Sequence, residues 1–595
     1  MKRTTLISAI GLMCVGSLAL AAETAKHEPN WESLDKRPTP QWFQDARFGI
    51  SIHWGLYSVP AWAPKGQHAA DYWNSIEKKE GETWKRHVKA YGKNFEYKQF
   101  APKFEAKEFN PGEWADLFTR SGARYVVLSA KGPDGYCLWP SAQSPNWNSM
   151  DVGPKRDLLG DLTKSVRKAG LKMGISYSLC DWHDPLYRSD AKRYVEERMI
   201  PQFKDVVQRY TPSVVFVDDE SEHPDKTWKS EELLAWLFDE SPCRDEVAVN
   251  DRLGKDCRGR HGGYWTSESG GAGETMSSEH MWEENQPIGR SFGLNRNEGP
   301  GDYKTTRDLI RLLVNCVSGG GNLLLDIGPD ADGTIPQNMK DRLLEMGAWL
   351  KANGESIYGA TAGPLQKLSW GRTTAKPGKI FLHVYEWPKG DLEVPGLRAK
   401  VKCAYMLSDP DHTWLMLGRS ADGWITITTP AKAPDPFDSV VVLEMEGEAQ
   451  VKESKPIVQS DDGTIALRAV DATVHGEAAR YESGGGKDNI GYWTDEGDWV
   501  SWKFDLKTPG KFRVEIAYAC AQGSGDSEYT VGVADNRQVK GKIRETGSWT
   551  NFVTETLGVV ELAKPGPYTL SVRPTSKPGQ AVMNLKAITL RPAKE

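Results

Sequence analysis

The segment Thr211-Pro212-Ser213-Val214-Val215-Phe216-Val217-Asp218-Asp219-Glu220 contains a short apolar run that is followed directly by three acidic residues. Four consecutive apolar residues are typical of a buried strand in a parallel sheet. Unpaired carboxylates are costly inside a strand core, so the strand should end where the acidic residues begin. Residues at the carboxyl end of a barrel strand face the active site. The segment therefore makes Asp218 a candidate catalytic carboxylate, with a solvated loop or a helix N-cap as the alternative.

Strands of this kind alternate with amphipathic helices over residues 42–350. The predicted strands include residues 125–128, 172–177, 214–217 and 322–326, and the predicted helices include residues 158–168, 194–210 and 306–318. This alternation predicts a parallel (β/α) barrel. A doubly wound sheet is the alternative, but no glycine-rich dinucleotide fingerprint follows the first strand.

The helical period disappears after residue 359. Residues 360–446 predict a small antiparallel β-sandwich, because strands alternate there with turns. Residues 447–463 are polar and predict a linker, and residues 464–595 carry further short strands with Gly and Pro turns. The expected fold class is therefore α/β: a (β/α)8-like barrel over residues 23–359, followed by two antiparallel β-sandwich domains.

The first 22 residues have the pattern of a secretory signal peptide. A basic start precedes an apolar stretch over residues 6–20, and the stretch ends in Ala19-Leu20-Ala21-Ala22. A membrane anchor is the alternative, but the apolar stretch is short for a bilayer span. We therefore expect a secreted or periplasmic protein without a membrane anchor.

Composition limits the function further. A chain of 595 residues with 39% hydrophobic and 26% charged residues predicts a globular protein of about three domains. A net charge of −6 without a long basic run argues against a nucleic-acid partner. The 23 Trp residues are in excess, and exposed aromatic rings stack on the apolar faces of sugars. The cysteines lack metal-site or redox spacing, and Cys243 and Cys257 are the pair expected to form a disulfide.

Several motifs occur in a fixed order along the barrel segment. They are His53-Trp54-Gly55, Leu138-Trp139-Pro140-Ser141, Gly153-Pro154-Lys155-Arg156-Asp157, Asn250-Asp251-Arg252, Ser291-Phe292-Gly293 and the glycine-rich residues 319–336. Together they resemble the α-L-fucosidases of glycoside hydrolase family 29. The resemblance spans about residues 40–360 and the sandwich that follows. It implies a retaining exo-hydrolase of terminal α-L-fucosyl residues that acts on an oligosaccharide or polysaccharide, with no metal or cofactor in the catalytic domain.

Retaining hydrolysis requires two carboxylates, and the resemblance assigns both. Asp218 occupies the position of the nucleophile, and Glu268 occupies the position of the acid/base in a Thr-x-Glu pattern. The family usually continues Asp-Gly after the nucleophile, whereas this chain has Asp219. We expect the Asp219 side chain to point away from Asp218, because neighbours at a strand end alternate. The alternatives for the acid/base are Glu274, Glu279, Glu283 and Glu284.

The resemblance also assigns sugar-binding side chains. They are His53, Asp71, Tyr177, Arg252 and Trp282. The family pattern Ala-Lys-His-His-Asp-Gly-Phe, whose two histidines bind sugar hydroxyls, reads Ala130-Lys131-Gly132-Pro133-Asp134-Gly135-Tyr136 here. Each hydrogen bond lost to a buried hydroxyl costs about 1–3 kcal/mol. An α-L-galactoside or α-L-glucoside is therefore an alternative substrate for the same mechanism. A non-catalytic glycan-binding protein is a further alternative, although the retained carboxylates argue against it.

The C-terminal sandwich resembles the jelly-roll carbohydrate-binding modules of family 6. The resemblance implies stacking of sugar on loop aromatics, for which Tyr492, Trp493 and Trp549 are the candidates, while Trp499 or Trp502 should lie in the core. A structural calcium ion is common in such modules and is left open here, as is a homo-oligomer. The alternative is a purely structural sandwich that supports the barrel.

Overall fold

The computed structural model describes residues 26–593, except for residues 269–279, 366–367, 369, 398–399, 421–422, 448–456, 477, 485–486 and 534–536. The predicted signal peptide lies outside the described residues. So do residues 448–456 of the predicted linker and the alternative acid/base residues Glu274 and Glu279.

Eight parallel strands form one sheet within the described N-terminal part. They are β1 (Phe48–Ile52), β2 (Tyr125–Lys131), β3 (Lys172–Ser178), β4 (Val214–Asp218), β5 (Ala248–Val249), β6 (Trp265–Ser267), β7 (Trp282–Pro287) and β8 (Asn322–Ile327). Their order is β5-β4-β3-β2-β1-β8-β7-β6. A parallel bridge between Asn250 and Tyr264 joins the two ends of the sheet. The sheet therefore curls into the predicted barrel, and the doubly wound alternative is wrong.

Helices connect the strands and cover the outer face of the sheet. The α-helices are Trp31–Leu34, Gln41–Ala46, Tyr72–Glu77, Gly81–Tyr91, Pro111–Arg120, Leu158–Lys168, Pro185–Ser189, Ala191–Tyr194, Ile200–Tyr210, Asp225–Trp228, Ser230–Asp239, Thr306–Ser318 and Gln337–Asn353. Among the described residues, no helix has the length and apolar character needed to cross a bilayer.

Local signals explain where these helices begin. Helix Leu158–Lys168 has the predicted bounds: the Asp157 side chain accepts a hydrogen bond from the Gly160 N–H and so caps its first turn. The predicted helix over residues 194–210 is interrupted by a π-helical turn at Val195–Met199. Pro201 follows directly and lacks an N–H, so the regular hydrogen-bond pattern fails there.

Apolar side chains fill most of the barrel interior at the amino end of the strands, where Glu283 is buried beside them, and the carboxyl end is polar. A cluster of buried apolar side chains fills the amino end: Phe43, Ala46, Tyr125, Val127, Val214, Phe216, Ala248, Tyr264 and Leu324. Further along the same strands the inward positions are Ser178, Asp218 and Asp326. The polar groups therefore collect at the rim where parallel barrels carry their active sites.

A sandwich of two antiparallel sheets follows the barrel. Its strands are β9 (Thr361–Ala362), β10 (Gly371–Lys376), β11 (Lys379–Val384), β12 (Leu392–Val394), β13 (Val401–Met406), β14 (Leu417–Arg419), β15 (Ile425–Ile427) and β16 (Ser439–Met445). The larger sheet has the order β13-β16-β11-β10-β9 and the smaller sheet has the order β12-β15-β14. The sandwich contacts the barrel helices, where the Trp349 indole donates to the Asp438 carbonyl at 2.9 Å.

The C-terminal module contains two further antiparallel sheets. Its strands are β17 (Ile457–Val458), β18 (Ile465–Arg468), β19 (Thr473–His475), β20 (Arg480–Gly484), β21 (Lys487–Gly491), β22 (Trp499–Leu506), β23 (Gly510–Ala519), β24 (Glu528–Val533), β25 (Arg537–Lys542), β26 (Val553–Leu562), β27 (Gly566–Ser576) and β28 (Asn584–Pro592). β17 pairs with β22, so the prediction of a linker through residue 463 was wrong for its last residues. The two residues of β17, Ile457 and Val458, form a short strand at one edge of this sheet.

The predicted disulfide is also wrong. Cys243 and Cys257 are buried free thiols, as are the other described cysteines. Cys243 precedes β5 and Cys257 follows it, so the strand and the Asn250-Asp251-Arg252 motif lie between the two thiols in the chain.

Glu283 is a carboxyl group buried inside the barrel. Its residue is 0% exposed, and the Tyr125 hydroxyl donates a hydrogen bond to Oε2. Burial raises the pKa of Glu283 to about 8, although this hydrogen bond works in the opposite direction. The folded protein therefore binds this proton more tightly than the unfolded chain does.

Glu283→Gln should make the protein less sensitive to alkaline pH. The stabilisation from the Glu283 proton is complete below its ordinary pKa of about 4.3 and is lost as the pH rises towards about 8. The variant should unfold at nearly the wild-type temperature at pH 4.5 but should gain on the order of a few kcal/mol at pH 8. Calorimetry across this pH range measures the difference. Exposed Glu82 provides the control Glu82→Gln, and an equal gain in both variants would contradict the argument.

Candidate active site

Asp218 is the last residue of β4, so the strand ends where the acidic residues begin. The Asp219 N–H donates to Asp218 Oδ1 at 3.1 Å. Burial by itself would raise the pKa of Asp218, but the charges of Arg252 and His53 lower it below the ordinary value. The carboxylate is therefore ionised at neutral pH, as a nucleophile must be.

Arg252 joins Asp218 to Glu268. One terminal nitrogen donates to Asp218 Oδ1 at 2.7 Å and the other donates to Glu268 Oε1 at 2.6 Å. The Arg252 Nε–H donates to Thr266 Oγ1 at 3.1 Å, and the guanidinium lies 4.8 Å from the centroid of the Phe216 ring. Carboxylates from two separate segments of the barrel are therefore held on either side of one cation. The predicted contact of Arg252 with the sugar stays a prediction.

Asn250 and Asp251, the two residues before Arg252, hold this part of the chain in place through side-chain hydrogen bonds. The Asn250 side chain pairs with both backbone groups of Val217: its Oδ1 accepts at 3.0 Å and its Nδ2 donates at 2.8 Å. Asp251 Oδ1 accepts from the N–H of Thr266 at 3.0 Å. The motif thus fastens the end of β4 and the start of the Glu268 segment to one another.

Glu268 differs from the other acid/base candidates in the described residues. Its side chain is 36% exposed at the rim, whereas Glu283 and Glu284 are buried on β7. A residue that exchanges protons with water and with the leaving group needs this access.

His53 follows β1 and is oriented by an aspartate that the sequence did not point to. Its Nδ1 lies 2.6 Å from Asp326 Oδ1, and Asp326 Oδ2 accepts from the Gly293 N–H at 2.9 Å. Burial alone would lower the pKa of His53, but Asp326, assisted by Asp218 and Glu268, raises it to about 9. The imidazolium therefore adds a second positive charge beside the carboxylates.

Asp219 does not point away from Asp218. Its backbone is left-handed, with φ 57°, which breaks the alternation expected at a strand end and explains why glycine suits this position in the family. The side chain hydrogen-bonds to Ser178 and interacts with Asp71. Burial and then the charge of Asp218 raise the pKa of Asp219 to about 8. Asp219 therefore belongs to the same acidic site.

Asp71 lies at this rim as predicted, at the end of a 3-10 turn over Ala69–Asp71. Burial raises its pKa, the nearby histidines His68 and His53 oppose this, and the charge of Asp218 adds to it. Asp71 is therefore electrostatically coupled to both the first imidazole and the candidate nucleophile.

The predicted sugar-binding roles of Tyr177 and Trp282 are wrong. Tyr177 is fully buried on the helix-facing side of β3, where its hydroxyl donates to Gln202 Oε1 at 2.9 Å. Trp282 is the first residue of β7, at the end of the barrel opposite the rim, and its indole donates to the Gly319 carbonyl at 3.1 Å. Both residues stabilise the packing and cannot contact a sugar at the rim.

The Gly132-Pro133 segment forms a tight turn beyond β2. The Gly135 N–H donates to the Gly132 carbonyl at 3.0 Å, and the Trp182 N–H donates to the Pro133 carbonyl at 2.8 Å. The turn therefore offers no side-chain donor where the family has two imidazoles, and its Pro133 carbonyl is already occupied.

An aromatic group at the rim was missed by the sequence reasoning. The Trp73 ring stacks on Tyr97 with centroids 4.6 Å apart, and Trp147 stacks on His183 at 4.1 Å. Trp182 meets Trp73 edge-on at 6.4 Å. The excess of tryptophan was the only signal, and it could not say which rings meet.

In the C-terminal module the structure separates the predicted aromatics. Trp493 is fully buried and donates to the Asp498 carbonyl at 3.0 Å, so its prediction as a stacking residue is wrong. Trp502 also lies in the core. Tyr492 is 52% exposed with the Arg480 guanidinium 3.7 Å from its ring centroid, and Trp549 is half-buried. Roles for Tyr492 and Trp549 in sugar binding stay predictions.

Across the described residues, no group of three or more His, Cys, Asp and Glu side chains is placed to hold a metal ion. Calcium in the module stays a prediction.

A parallel barrel with two carboxylates paired through one arginine at its carboxyl rim defines the class as a barrel glycoside hydrolase. The alpha-L-fucosidase family model matches residues 15–355, and the family 6 carbohydrate-binding module model matches residues 469–592. The chain therefore belongs to the alpha-L-fucosidase family.

Individual relatives agree with this assignment. The chain is 42% identical over 380 residues to an alpha-L-fucosidase of Dictyostelium discoideum, a match that covers 62% of this chain and 82% of the relative. It is 38% identical over 444 residues to the tissue alpha-L-fucosidase of Rattus norvegicus, covering 72% and 94%. The crystal structure of a Thermotoga maritima alpha-fucosidase with a mechanism-based inhibitor has a TM-score of 0.63 at 36% identity, covering 70% of this chain and 100% of that chain.

Asp326→Asn should lower the pKa of His53 well below about 9, because the neutral amide keeps the shape of the aspartate but removes its charge. An NMR titration of the His53 ring measures this change. The catalytic efficiency above pH 7 should fall with it, since the imidazolium near Asp218 is then lost. Asp341→Asn, on an exposed helix position, is the control. An unchanged His53 titration in Asp326→Asn would show that the orientation by Asp326 has no electrostatic consequence.

Proposed function

We propose that the protein is a retaining, exo-acting α-L-fucosidase that removes terminal α-L-fucosyl residues from glycans. The observation that carries this proposal is the shared guanidinium of Arg252, which holds Asp218 and Glu268 side by side at the barrel rim. Double displacement needs two carboxylates about 5–5.5 Å apart. Two carboxylates bound to one guanidinium lie close to each other, as double displacement requires.

The proposed reaction has two steps. In the first step Asp218 attacks the anomeric carbon while Glu268 donates its proton to the departing glycosidic oxygen, which leaves a covalent fucosyl-enzyme. In the second step Glu268 accepts a proton from water, and this water attacks the anomeric carbon and releases Asp218. Arg252 and His53 keep Asp218 ionised before the attack, and His53 and Asp71 are proposed to bind the sugar.

We also propose that the C-terminal module binds glycan through Tyr492 and Trp549, and that the protein is exported to the periplasm or the medium. The support for binding is the exposed ring of Tyr492 and the match to the family 6 modules. Export rests on the signal-peptide pattern of the first 22 residues. A homo-oligomer stays a prediction.

Asp218→Asn should remove nearly all turnover of p-nitrophenyl α-L-fucoside, since an amide is not a nucleophile at the anomeric carbon. Wild-type initial rates on the fucoside, the α-L-galactoside and the α-L-glucoside measure the preferred sugar, with the variant as the blank. We expect the fucoside to be fastest. A faster α-L-galactoside or α-L-glucoside would move the proposal to that sugar, and wild-type rates equal to the blank with all three would favour a non-catalytic glycan-binding protein.

Glu268→Ala should slow hydrolysis most for substrates whose leaving group must be protonated as it departs. A 2,4-dinitrophenyl leaving group departs without a proton, so its first step should be nearly unchanged, whereas a fucosyl disaccharide should lose roughly 100- to 10,000-fold. Azide should restore turnover of the activated substrate, because it attacks the fucosyl-enzyme in place of water and leaves as the α-configured fucosyl azide. Exposed Glu240→Ala is the control. A uniform loss with every leaving group would remove Glu268 from the role of acid/base.

A further inference from the structure

His68 lies in the loop before the Ala69–Asp71 turn and was not singled out by any motif. Its half-buried ring packs against Phe292 with centroids 5.0 Å apart, and the Phe292 ring also contacts His53 with centroids 5.4 Å apart. Phe292 therefore contacts two imidazoles at the same rim of the barrel.

The backbone decides which nitrogen of His68 carries the proton. The Phe292 N–H donates to His68 Nδ1 at 3.1 Å. A backbone N–H can only donate, so Nδ1 must be the unprotonated nitrogen, and the ring proton resides on Nε2. The adjacent Ala69 N–H donates to Ser291 Oγ at 2.9 Å, which fastens the loop at a second point. With Nδ1 accepting this hydrogen bond, His68 presents its N–H donor at Nε2.

His68 lies at the end of the barrel that holds the carboxylates, because Phe292 contacts both His68 and His53. Asp71 interacts electrostatically with His68, His53 and Asp218. In the parts of the chain that the structure describes, no acceptor hydrogen-bonds to His68 Nε2. A fixed donor three residues before Asp71 in the chain, with no acceptor among the described residues, is suited to a hydroxyl of the bound sugar.

We propose that His68 is a specificity-determining residue that donates a hydrogen bond from Nε2 to a ring hydroxyl of the terminal L-sugar. It supplies a donor from the loop after β1, whereas the family histidines come from the segment after β2 that reads Gly132-Pro133 here. Asp71, three residues later, supplies a neighbouring acceptor. This inference rests on the proposed α-L-glycosidase function.

Two substitutions separate this role from a structural one. His68→Asn keeps an acceptor near the position of Nδ1 for the Phe292 N–H but cannot reach the position of Nε2. His68→Gln places an amide donor near the position of Nε2. The asparagine variant should lose roughly 10- to 100-fold in kcat/KM on p-nitrophenyl α-L-fucoside, and the glutamine variant should recover part of this loss. The opposite order would assign His68 to holding the Phe292 loop and would overturn the proposal.

Deoxy substrates identify the hydrogen bond itself. Wild type and His68→Asn are compared on p-nitrophenyl α-L-fucosides that lack one hydroxyl at C2, C3 or C4. For one of these substrates the variant should be as efficient as wild type, because the partner of His68 is already missing. An equal loss in the variant with the parent and all three deoxy substrates would overturn the proposal.

Failure of the inference can be told from failure of the proposed function. If wild type hydrolyses the parent fucoside and Asp218→Asn does not, the function stands whatever the His68 variants show. If wild type hydrolyses none of the three α-L-glycosides, the function fails, and the role of His68 falls with it. Far-ultraviolet circular dichroism and the unfolding temperature show that each variant is folded before its rates are compared.

Discussion

The paired contact of Arg252 with Asp218 and Glu268 is the interaction on which the rest of the site depends. Arg252 is only 2% exposed, and a buried cation is tolerated only when its charge is matched and its donors are occupied. Asp218, Glu268 and Thr266 meet both conditions. The barrel must therefore bring the ends of β4 and β6 to one point, and the bridge between their neighbours Asn250 and Tyr264 does so.

The distribution of charge at the rim follows from this contact. Arg252 and the imidazolium of His53 hold Asp218 ionised, and burial together with that charge raises the pKa of the neighbouring Asp219 to about 8. Two adjacent carboxyl groups thus have different protonation states in one site, because only one of them contacts the cations. Asp326 acts on Asp218 indirectly, because it orients His53 and raises the pKa of His53.

The two loops on either side of the rim differ in the groups they present. The turn at Gly132-Pro133 lacks imidazole donors and uses its carbonyl to hold Trp182. Across the rim, the loop after β1 brings His68 and Asp71 to the side of Phe292. Different loops of a barrel can supply binding groups to one site, because the strands alone fix the positions of the carboxylates.

Local patterns in the sequence were sufficient to determine the alternation of strands and helices, the end of β4 at Asp218, and the helix Leu158–Lys168 with its Asp157 cap. These features depend on residues that are close in the chain. Only the tertiary structure decided that Tyr177, Trp282 and Trp493 are packed in cores, that Cys243 and Cys257 stay apart, and that Asp219 turns towards Asp218. Asp326 and His68 were missed for the same reason. Each of their roles depends on contacts between residues far apart in sequence or on a left-handed backbone, and neither leaves a periodic signal in the chain.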